Sequence, residues 1–280
     1  MNHLLISLIF SILCSPALSL DIYTNTNNNH ILGRDNDPKV VSDIGKIKLL
    51  YKKSFWSILS ILGPRNIAKI VYPKSISHMN VENAVAFTID DGFCGLDNPD
   101  GDMLNEVRLL LKKYNAHATF FVAGTHCAHT NIEDINKLLD DGHELANHNL
   151  YDIPYDKHTS GDFEIDLLMT QNILNEYTDR LSKWYRAPHA TISKNMHKVI
   201  EKHQLTHVIG DAFANDTSIP DPKWIAKYIL KKTKPGSIII IHMPERGIRE
   251  WNYEAMEIIL EGLNQKNYQI HTLTNLDSLE

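Results

Sequence analysis

The chain has 280 residues, of which 43% are hydrophobic and 22% charged, and its net charge is −6. This composition is that of an ordinary globular protein and excludes a mainly disordered, collagen-like or coiled-coil chain. The acidic balance argues against nucleic-acid binding, which requires a basic patch or stripe. The three cysteines are too few for a disulfide-stapled scaffold.

The start of the chain has the pattern of a secretory signal peptide. An uncharged apolar run covers 4–14, and the small residues Ala17 and Ser19 precede a cleavage site after Ser19. The n-region lacks the usual Lys or Arg, so an uncleaved anchor is the alternative, although a membrane span takes about 20 apolar residues. We predict a signal peptide over 1–19, an exported protein (secreted, periplasmic or in the cell envelope) and no stable membrane span after cleavage.

Residues 20–80 are predicted to form a linker and an N-terminal helical extension. The Asn- and Asp-rich stretch 21–40 has little apolar content, which is typical of a mobile linker. Residues 41–70 carry apolar side chains at helix-compatible spacing, which Gly63-Pro64 interrupts. We expect this segment to pack on the main domain, which spans 81–280.

From residue 84 onward, short apolar runs alternate with longer segments of helical periodicity. The run 238–241 is apolar on both faces, as expected of a fully buried parallel strand. Such alternation predicts an α/β sheet or barrel. The predicted strands are 84–89, 118–122, 144–146, 207–209, 237–241 and 269–273. The predicted helices lie near 102–115, 132–141, 161–178, 193–204, 222–233 and 253–266.

Side chains that can carry chemistry stand where three of these strands end. Asp90 and Asp91 follow the first strand. Two adjacent carboxylates at this position are costly unless they are paired or bind a metal. The alternative is that they cap the following loop. His148 and Asp152 follow the third strand, and residues four apart face the same way on a helical turn. His242 ends a late strand. It could act as a general acid or base, or it could be a core residue with satisfied hydrogen bonds. In α/β folds such groups collect at the carboxyl ends of the strands.

Together these groups predict metal-assisted hydrolysis. Asp91, His148 and Asp152 make three nitrogen and oxygen ligands, which suit a divalent metal such as zinc and leave a position open for water. Asp90 could accept the proton of that water, and His242 could donate a proton to the leaving group.

Five short motifs occur in order between residues 84 and 276. They are Thr88-Ile89-Asp90-Asp91-Gly92, Ala118-Thr119-Phe120-Phe121, Gly142-His143-Glu144-Leu145-Ala146-Asn147-His148, Arg186-Ala187-Pro188-His189-Ala190, and Ile241-His242 preceded by Pro235-Gly236-Ser237. These motifs resemble those of the polysaccharide deacetylase family, the NodB-homology or carbohydrate esterase family 4 proteins. The resemblance implies a distorted (β/α) barrel of the NodB-homology type, with fewer than eight complete units.

The resemblance also implies catalytic roles. Asp90 would be the base, Arg186 would orient it, and His242 would be the general acid. The family's Asp-Trp motif lacks its Trp here, and Asp216-Thr217 is the nearest match. We therefore assign the orientation of His242 to Asp216, with Asp211 as the competing candidate.

The same resemblance implies a divalent metal held by Asp91 and His148. The second histidine of the family's His-x-x-x-His motif is Asp152 here, a departure that looks like a sub-branch of the family. Carboxylate is an acceptable zinc ligand, but its harder oxygen can shift the preference, so we expect zinc with cobalt, manganese or nickel as alternatives. The tyrosine of the arginine motif is His189, whose backbone N–H would help to hold the oxyanion.

Two cysteines of the main domain are candidates for a disulfide. Export would place Cys94 and Cys127 in an oxidising compartment. Each follows one of two successive strands, and neighbouring strands lie about 4.8 Å apart. We predict a bridge between them, with two unpaired thiols as the alternative.

The chain is therefore predicted to be a metal-dependent hydrolase that removes N-acetyl groups from an amino-sugar polysaccharide of the chitin or peptidoglycan type. The alternatives are an acetyl-ester hydrolase acting on acetylated xylan, a catalytically inactive glycan-binding relative, and a structural envelope protein. The expected partner is a polysaccharide and not a nucleic acid. The sequence leaves the polymer and the oligomeric state open.

Overall fold

A computed structural model describes residues 49–54, 63–93, 95, 98, 100–128, 130–178 and 182–280. The predicted signal peptide, 1–19, and the predicted linker, 21–40, lie outside these residues, as do 41–48 and 55–62 of the predicted extension. Within the described ranges, no helix combines the length and the apolar character needed to cross a bilayer.

Within the described residues, seven parallel strands form one sheet. They are β1 (Ala84–Gly92), β2 (Ala118–Val122), β3 (Glu144–Asn147), β4 (Trp184–Tyr185), β5 (Thr206–His207), β6 (Ile238–His242) and β7 (Gln269–His271). Their order is β5-β4-β3-β2-β1-β6, and β7 pairs with the first three residues of β1. Every pairing is parallel, so the carboxyl ends of the strands share one side of the sheet.

Helices connect the strands and pack against the sheet. They are α1 (Pro64–Val71), α2 (Leu104–Lys113), α3 (Ile132–Asp140), α4 (Ser160–Asn175), α5 (Lys194–Lys202), α6 (Pro222–Lys232), α7 (Trp251–Gln265) and α8 (Leu273–Asp277). Residues 49–54 are also helical, and 3₁₀ turns cover Gly124–Cys127 and Pro188–Ala190. Asn131, Thr159 and Asp221 each precede a helix and accept a backbone N–H of its first turn, which fixes where the helix begins.

The sheet curls and closes into a distorted barrel. Beyond β5, the chain pairs Ala212 with Ile239 of β6, and the Ile240 N–H donates to the Ala212 carbonyl at 3.0 Å. This contact joins the two ends of the strand order. The predicted (β/α) barrel is therefore confirmed.

Alternation along β1 separates two parts of the core. Phe87 and Ile89 pack in the larger hydrophobic cluster, together with residues of the surrounding helices. Ala84 and Ala86 pack in a second cluster on the other face of the strand. Asp90 has the parity of this second pair, so its side chain points to the inner face of the barrel.

The structure corrects two of the predicted elements. Strand β4 is absent from the predicted set, because two residues are too few to show a period. The predicted strand 269–273 ends at His271, because the Thr272 hydroxyl accepts the Asn275 N–H and caps α8.

The described part of the N-terminal extension packs on the barrel. Helix α1 starts at Pro64, directly after Gly63, whose φ of 77° suits glycine. Arg65 Nε donates to Oδ2 of the buried Asp211 at 2.6 Å, and the Tyr72 hydroxyl donates to the Ala190 carbonyl at 3.0 Å. The extension therefore contacts both a buried carboxylate and the loop after β4.

Candidate active site

The three predicted metal ligands converge at the carboxyl ends of β1 and β3. One ligand atom from each of Asp91, His148 and Asp152 lies within 4.8 Å of the other two. His148 Nε2 is 3.6 Å from Asp91 Oδ1. Asp91 and His148 are buried, whereas Asp152 is partly exposed. The cluster could therefore hold a metal ion that a ligand reaches from the side of Asp152.

A break in the strand register brings both adjacent carboxylates into the site. Strict alternation would send the side chains of Asp90 and Asp91 to opposite faces of β1. The pairing of β1 with β2 shifts between Ile89 and Gly92, and Asp91 has a φ of 55°. This local twist lets Asp91 join the ligand cluster while Asp90 keeps the inner face.

His148 and Asp152 approach each other through a bend in the backbone. The prediction of a helical turn between them is wrong. Residues 150–152 form a bend, and Asn149 has a φ of 66°, which a right-handed helix does not contain. The Asn147 side chain accepts the Asn149 N–H at 2.8 Å and stabilises this turn. The spacing of four residues therefore serves the site through a different backbone path.

The protonation of His148 is set by its neighbour. Its Nδ1 is 2.8 Å from the Arg186 carbonyl, and a carbonyl only accepts, so Nδ1 carries the hydrogen. This leaves Nε2 facing Asp91, in the tautomer that binds a metal. Burial disfavours the imidazolium of His148, but the hydrogen bond and charge of Asp91 outweigh it and raise the pKa.

Asp90 is held by a buried arginine. Arg186 Nη1 donates to Asp90 Oδ1 at 2.5 Å and to Thr88 Oγ1 at 2.8 Å, and its Nε donates to the Val208 carbonyl. Its guanidinium also stacks on the Phe121 ring at 4.1 Å. Within the described part of the chain, the second oxygen of Asp90 makes no hydrogen bond. Arg186 therefore contacts Asp90 directly, and the catalytic role predicted for this pair stays a prediction.

His242 is paired with Asp216 and not with Asp211. Its Nδ1 lies 3.1 Å from Asp216 Oδ1, and its backbone N–H donates to Asp216 Oδ2 at 2.8 Å. Asn252 Nδ2 and the Trp251 indole also donate to Asp216, to the carboxylate and the backbone carbonyl respectively. Asp211 instead accepts hydrogen bonds from the N-terminal extension and from β6.

The charge of Asp216 sets the protonation of His242. Burial alone would lower the pKa of His242, but Asp216 above all, together with the charges of Asp91 and Asp90, raises it to about 9. The imidazole is therefore protonated at neutral pH. Because Nδ1 is engaged, Nε2 is the nitrogen that can give its proton to another molecule.

Glu245 and Arg249 belong to the site and were missed by the sequence prediction. Arg249 Nη1 donates to Asp91 Oδ2 at 2.8 Å, and Arg249 Nη2 lies 3.5 Å from Glu245 Oε1. Burial tends to raise the pKa of Asp91, but the charge of Arg249 and the hydrogen bond of His148 keep it well below its usual range. The spacing of four between an acid and a base after β6 was the available signal.

His189 lies in a left-handed turn beside the cluster. Its φ is 54°, and its Nε2 is 3.5 Å from Asp152 Oδ1. The side chain is 46% exposed, so it borders the open side of the site. The predicted oxyanion role concerns its backbone N–H, and that role stays a prediction.

The disulfide also stays a prediction, because Cys94 lies outside the described residues. Cys127 is buried in the 3₁₀ turn after β2 and forms no disulfide with any of the described residues. Burial raises its pKa to about 12, so this thiol is not a nucleophile at neutral pH.

The chain is similar to several known proteins. It is 24% identical over 175 residues to the uncharacterized protein YlxY of Bacillus subtilis, which covers 62% of this chain and 53% of that protein. It is 25% identical over 193 residues to a peptidoglycan-N-acetylglucosamine deacetylase of Bacillus cereus, which covers 69% of this chain and 67% of that protein. The chain thus spans about half of the first relative and two thirds of the second.

The fold is shared with a solved structure. BA3943 of Bacillus anthracis, described as a CE4 family pseudoenzyme, superposes with a TM-score of 0.62 at 20% identity, over 72% of this chain and 67% of that one. The sequence profile described as Polysaccharide deacetylase matches residues 79–208, which include all three metal-ligand candidates and the Asp90–Arg186 pair. His242 and Asp216 follow this stretch and complete the same site. Residues 79–208, just under half of the chain, thus match the polysaccharide deacetylase family.

Proposed function

We propose that the protein is a metal-dependent hydrolase that removes N-acetyl groups from an amino-sugar polysaccharide of the chitin or peptidoglycan type. One observation carries the proposal: a metal-ligand cluster, an arginine-held carboxylate and a protonated imidazole meet at one mouth of the barrel. Amide hydrolysis needs these three functions together, namely an electrophile, a proton acceptor and a proton donor.

The donor set fits a divalent metal. His148 offers Nε2, Asp91 offers Oδ1 while Arg249 holds its Oδ2, and Asp152 offers a carboxylate on the open side. One imidazole and two carboxylates suit zinc, and the oxygen ligands also suit cobalt, manganese or nickel. A divalent metal bound there supplies Lewis acidity, which polarises a carbonyl group and lowers the pKa of water.

Asp90 is the proton acceptor in this proposal. Arg186 fixes one of its oxygens at 2.5 Å, which leaves the second oxygen to take a proton from the attacking water. Thr88 accepts from the same guanidinium nitrogen and keeps the arginine in place. The carboxylate is therefore held in one orientation before the substrate arrives.

His242 is the proton donor. The nitrogen of an amide leaves as an amine only when it is protonated, and His242 carries a proton at neutral pH because its pKa is about 9. Asp216 holds Nδ1, so Nε2–H is the proton given to the amine. The backbone N–H of His189 is proposed to donate to the oxyanion that forms on the acetyl carbonyl.

The substrate class rests on the relatives and on the start of the sequence. The Bacillus cereus relative is named as acting on the N-acetylglucosamine of peptidoglycan. A signal peptide over 1–19 would bring this chain to a compartment where such glycans occur. We therefore propose an exported enzyme whose substrate is a cell-wall or extracellular glycan.

The test is an acetate-release screen. The purified protein is incubated with chitooligosaccharides, peptidoglycan and acetylxylan, each with zinc, cobalt, manganese or nickel, and Asp90→Asn serves as the inactive control. Acetate from the amide substrates supports the proposal, whereas acetate from acetylxylan alone favours the esterase. Oligosaccharide binding without acetate under any metal favours a glycan-binding relative. A protein that purifies without stoichiometric metal and binds no glycan favours a structural role.

A further inference from the structure

A buried arginine from the loop after β6 contacts one of the proposed metal ligands. Arg249 is 8% exposed, and its Nη1 donates to Asp91 Oδ2 at 2.8 Å. Asp91 Oδ1 is the oxygen that faces His148 Nε2, at 3.6 Å. The two oxygens of Asp91 are thus divided between a permanent cation and the ligand cluster.

The arginine is itself held in place. Its Nη2 lies 3.5 Å from Glu245 Oε1, and Glu245 Oε2 accepts the Gly95 N–H at 3.1 Å and Asn98 Nδ2 at 2.9 Å. These contacts tie the loop after β6 to the loop after β1. Both loops therefore contribute to the orientation of Asp91.

The cluster also has a charge that needs compensation. Asp91 and Asp152 are two carboxylates whose ligand atoms lie within 4.8 Å of each other, and Asp91 is buried. Like charges at this distance repel strongly where water is excluded. Of the cations in the described ranges, Arg249 is the one that forms an ion pair with Asp91 Oδ2. A guanidinium keeps its proton in proteins, so the compensation is permanent.

We propose that Arg249 is a positioning residue for the metal site. Arg249 holds Asp91 so that Oδ1 faces the ligand cluster, and its positive charge offsets the negative charge that Asp152 adds. The inference rests on the metal site of the proposed function. Glu245 acts one step further out, because it holds the arginine. Neither residue is a ligand or a proton carrier.

Zinc binding by the full-length chain, measured by titration calorimetry, tests the positioning. Arg249→Met should weaken zinc binding about 10–100-fold, as removal of a partner of a metal ligand typically does. Arg249→Lys should lose less zinc affinity than Arg249→Met, because lysine keeps the positive charge but lacks the planar guanidinium. The matched control is Arg246→Met on the same loop, whose exposed side chain pairs with Glu106, and its affinity should stay within about twofold of the wild type.

Urea unfolding of the metal-free protein, in the presence of a chelator, tests the charge compensation. Arg249→Met should lower the midpoint, and Asp152→Asn in the same chain should restore part of the loss, because it removes the repulsion with Asp91. Asp152→Asn alone should change the midpoint little. If Arg249→Met does not fold, Arg249→Lys and Glu245→Gln replace it in the zinc titration.

Wild-type zinc affinity in Arg249→Met would overturn the inference, and so would additive effects of the 249 and 152 substitutions on the metal-free midpoint. The predicted order of zinc affinities without acetate release from any substrate would sustain the inference and overturn the proposed function. If the wild type releases acetate but its zinc affinity does not depend on Arg249, the proposed function is sustained and the inference is overturned. A wild type that takes up none of the four metals would overturn both.

Discussion

The proposed proton acceptor and the proposed proton donor are each held by a buried ion pair, with opposite results. On one side Arg186 holds Asp90 at 2.5 Å, and on the other Asp216 holds His242 at 3.1 Å. A cation beside the working residue leaves a carboxylate with one oxygen that can accept a proton. An anion beside the working residue raises the pKa of an imidazole to about 9 and leaves it with a proton to give.

In the proposed mechanism, the ion-pair partner decides whether each residue accepts or donates a proton. Asp90 and His242 lie near the carboxyl ends of neighbouring strands and are register partners in the pairing of β1 with β6. Their side chains therefore share one part of the barrel mouth, and their different partners distinguish them. Substituting either ion-pair partner, or Asp90 or His242 itself, should therefore change a different measurable property.

The largest effect is expected from Asp90→Asn. An amide has almost the shape of a carboxylate but does not accept the proton, and loss of a general base costs about 10²–10⁴-fold in rate. Acetate release should fall accordingly while the metal content stays nearly unchanged, which elemental analysis of the same sample checks. Asp91→Asn is the contrasting variant, since it should lose metal and recover part of its activity when metal is added. An Asp90→Asn protein that loses its metal would show that the roles of the two neighbours are misassigned.

The donor side should respond through the pH profile. In the wild type, kcat/KM should fall at alkaline pH as His242 loses its proton around pH 9. Asp216→Asn removes the charge that raises this pKa, so the alkaline limb should move down by about 1–3 pH units. A profile that keeps its alkaline limb in Asp216→Asn would exclude His242 as the titrating group.

The same pair gives a stability prediction whose sign follows from the pKa. The pKa of His242 is higher in the folded protein than its ordinary value of 6.5, so folding favours the protonated imidazole. The contribution of the pair to the free energy of unfolding should be complete below pH 6.5 and should disappear as the pH rises through about 9. Urea unfolding at a series of pH values should show this difference between the wild type and Asp216→Asn. A difference that grows with pH over that window would contradict the assignment.

Asp211 is a second buried aspartate and serves as a control, because its hydrogen bonds go to residues outside the proposed catalytic set. Asp211 accepts from Arg65, from the Ser237 hydroxyl and from the Ile238 N–H. Arg65→Met leaves this carboxylate without its cation and should lower the free energy of unfolding by about 1–3 kcal/mol, less than for a fully buried pair because Arg65 is partly exposed. Acetate release per folded molecule should not change. A loss of acetate release per folded molecule in Arg65→Met would mean that Asp211 contributes to the proposed donor side.

The sequence could predict the residues that stand directly at strand ends. Asp90, Asp91, His148 and His242 follow apolar runs, and parallel strands bring such positions to one side of a sheet. The choice between Asp211 and Asp216 could not be made in this way. Both lie beyond β5 in a segment without regular periodicity, and only the tertiary contacts distinguish them.

The contact of Arg249 with Asp91 and the path from His148 to Asp152 were missed for a different reason. Both depend on left-handed backbone at non-glycine residues, with a φ of 55° at Arg249 and 66° at Asn149. Such conformations are uncommon, and local spacing rules assume regular structure. The i, i+4 spacing indicated two side chains that do converge, although the predicted helical turn does not form.

The smallest effect is expected at His189, where the proposed role belongs to the backbone. The residue has a φ of 54°, a conformation that Asn tolerates better than most side chains. His189→Asn therefore keeps both the turn and the N–H, and it removes only the imidazole that lies 3.5 Å from Asp152. Loss of an oxyanion donor costs about 10²–10³-fold in kcat, so a kcat within about threefold of the wild type would show that the donor is intact. A drop of the larger size in His189→Asn, with metal content unchanged, would move the oxyanion role from the backbone to the imidazole.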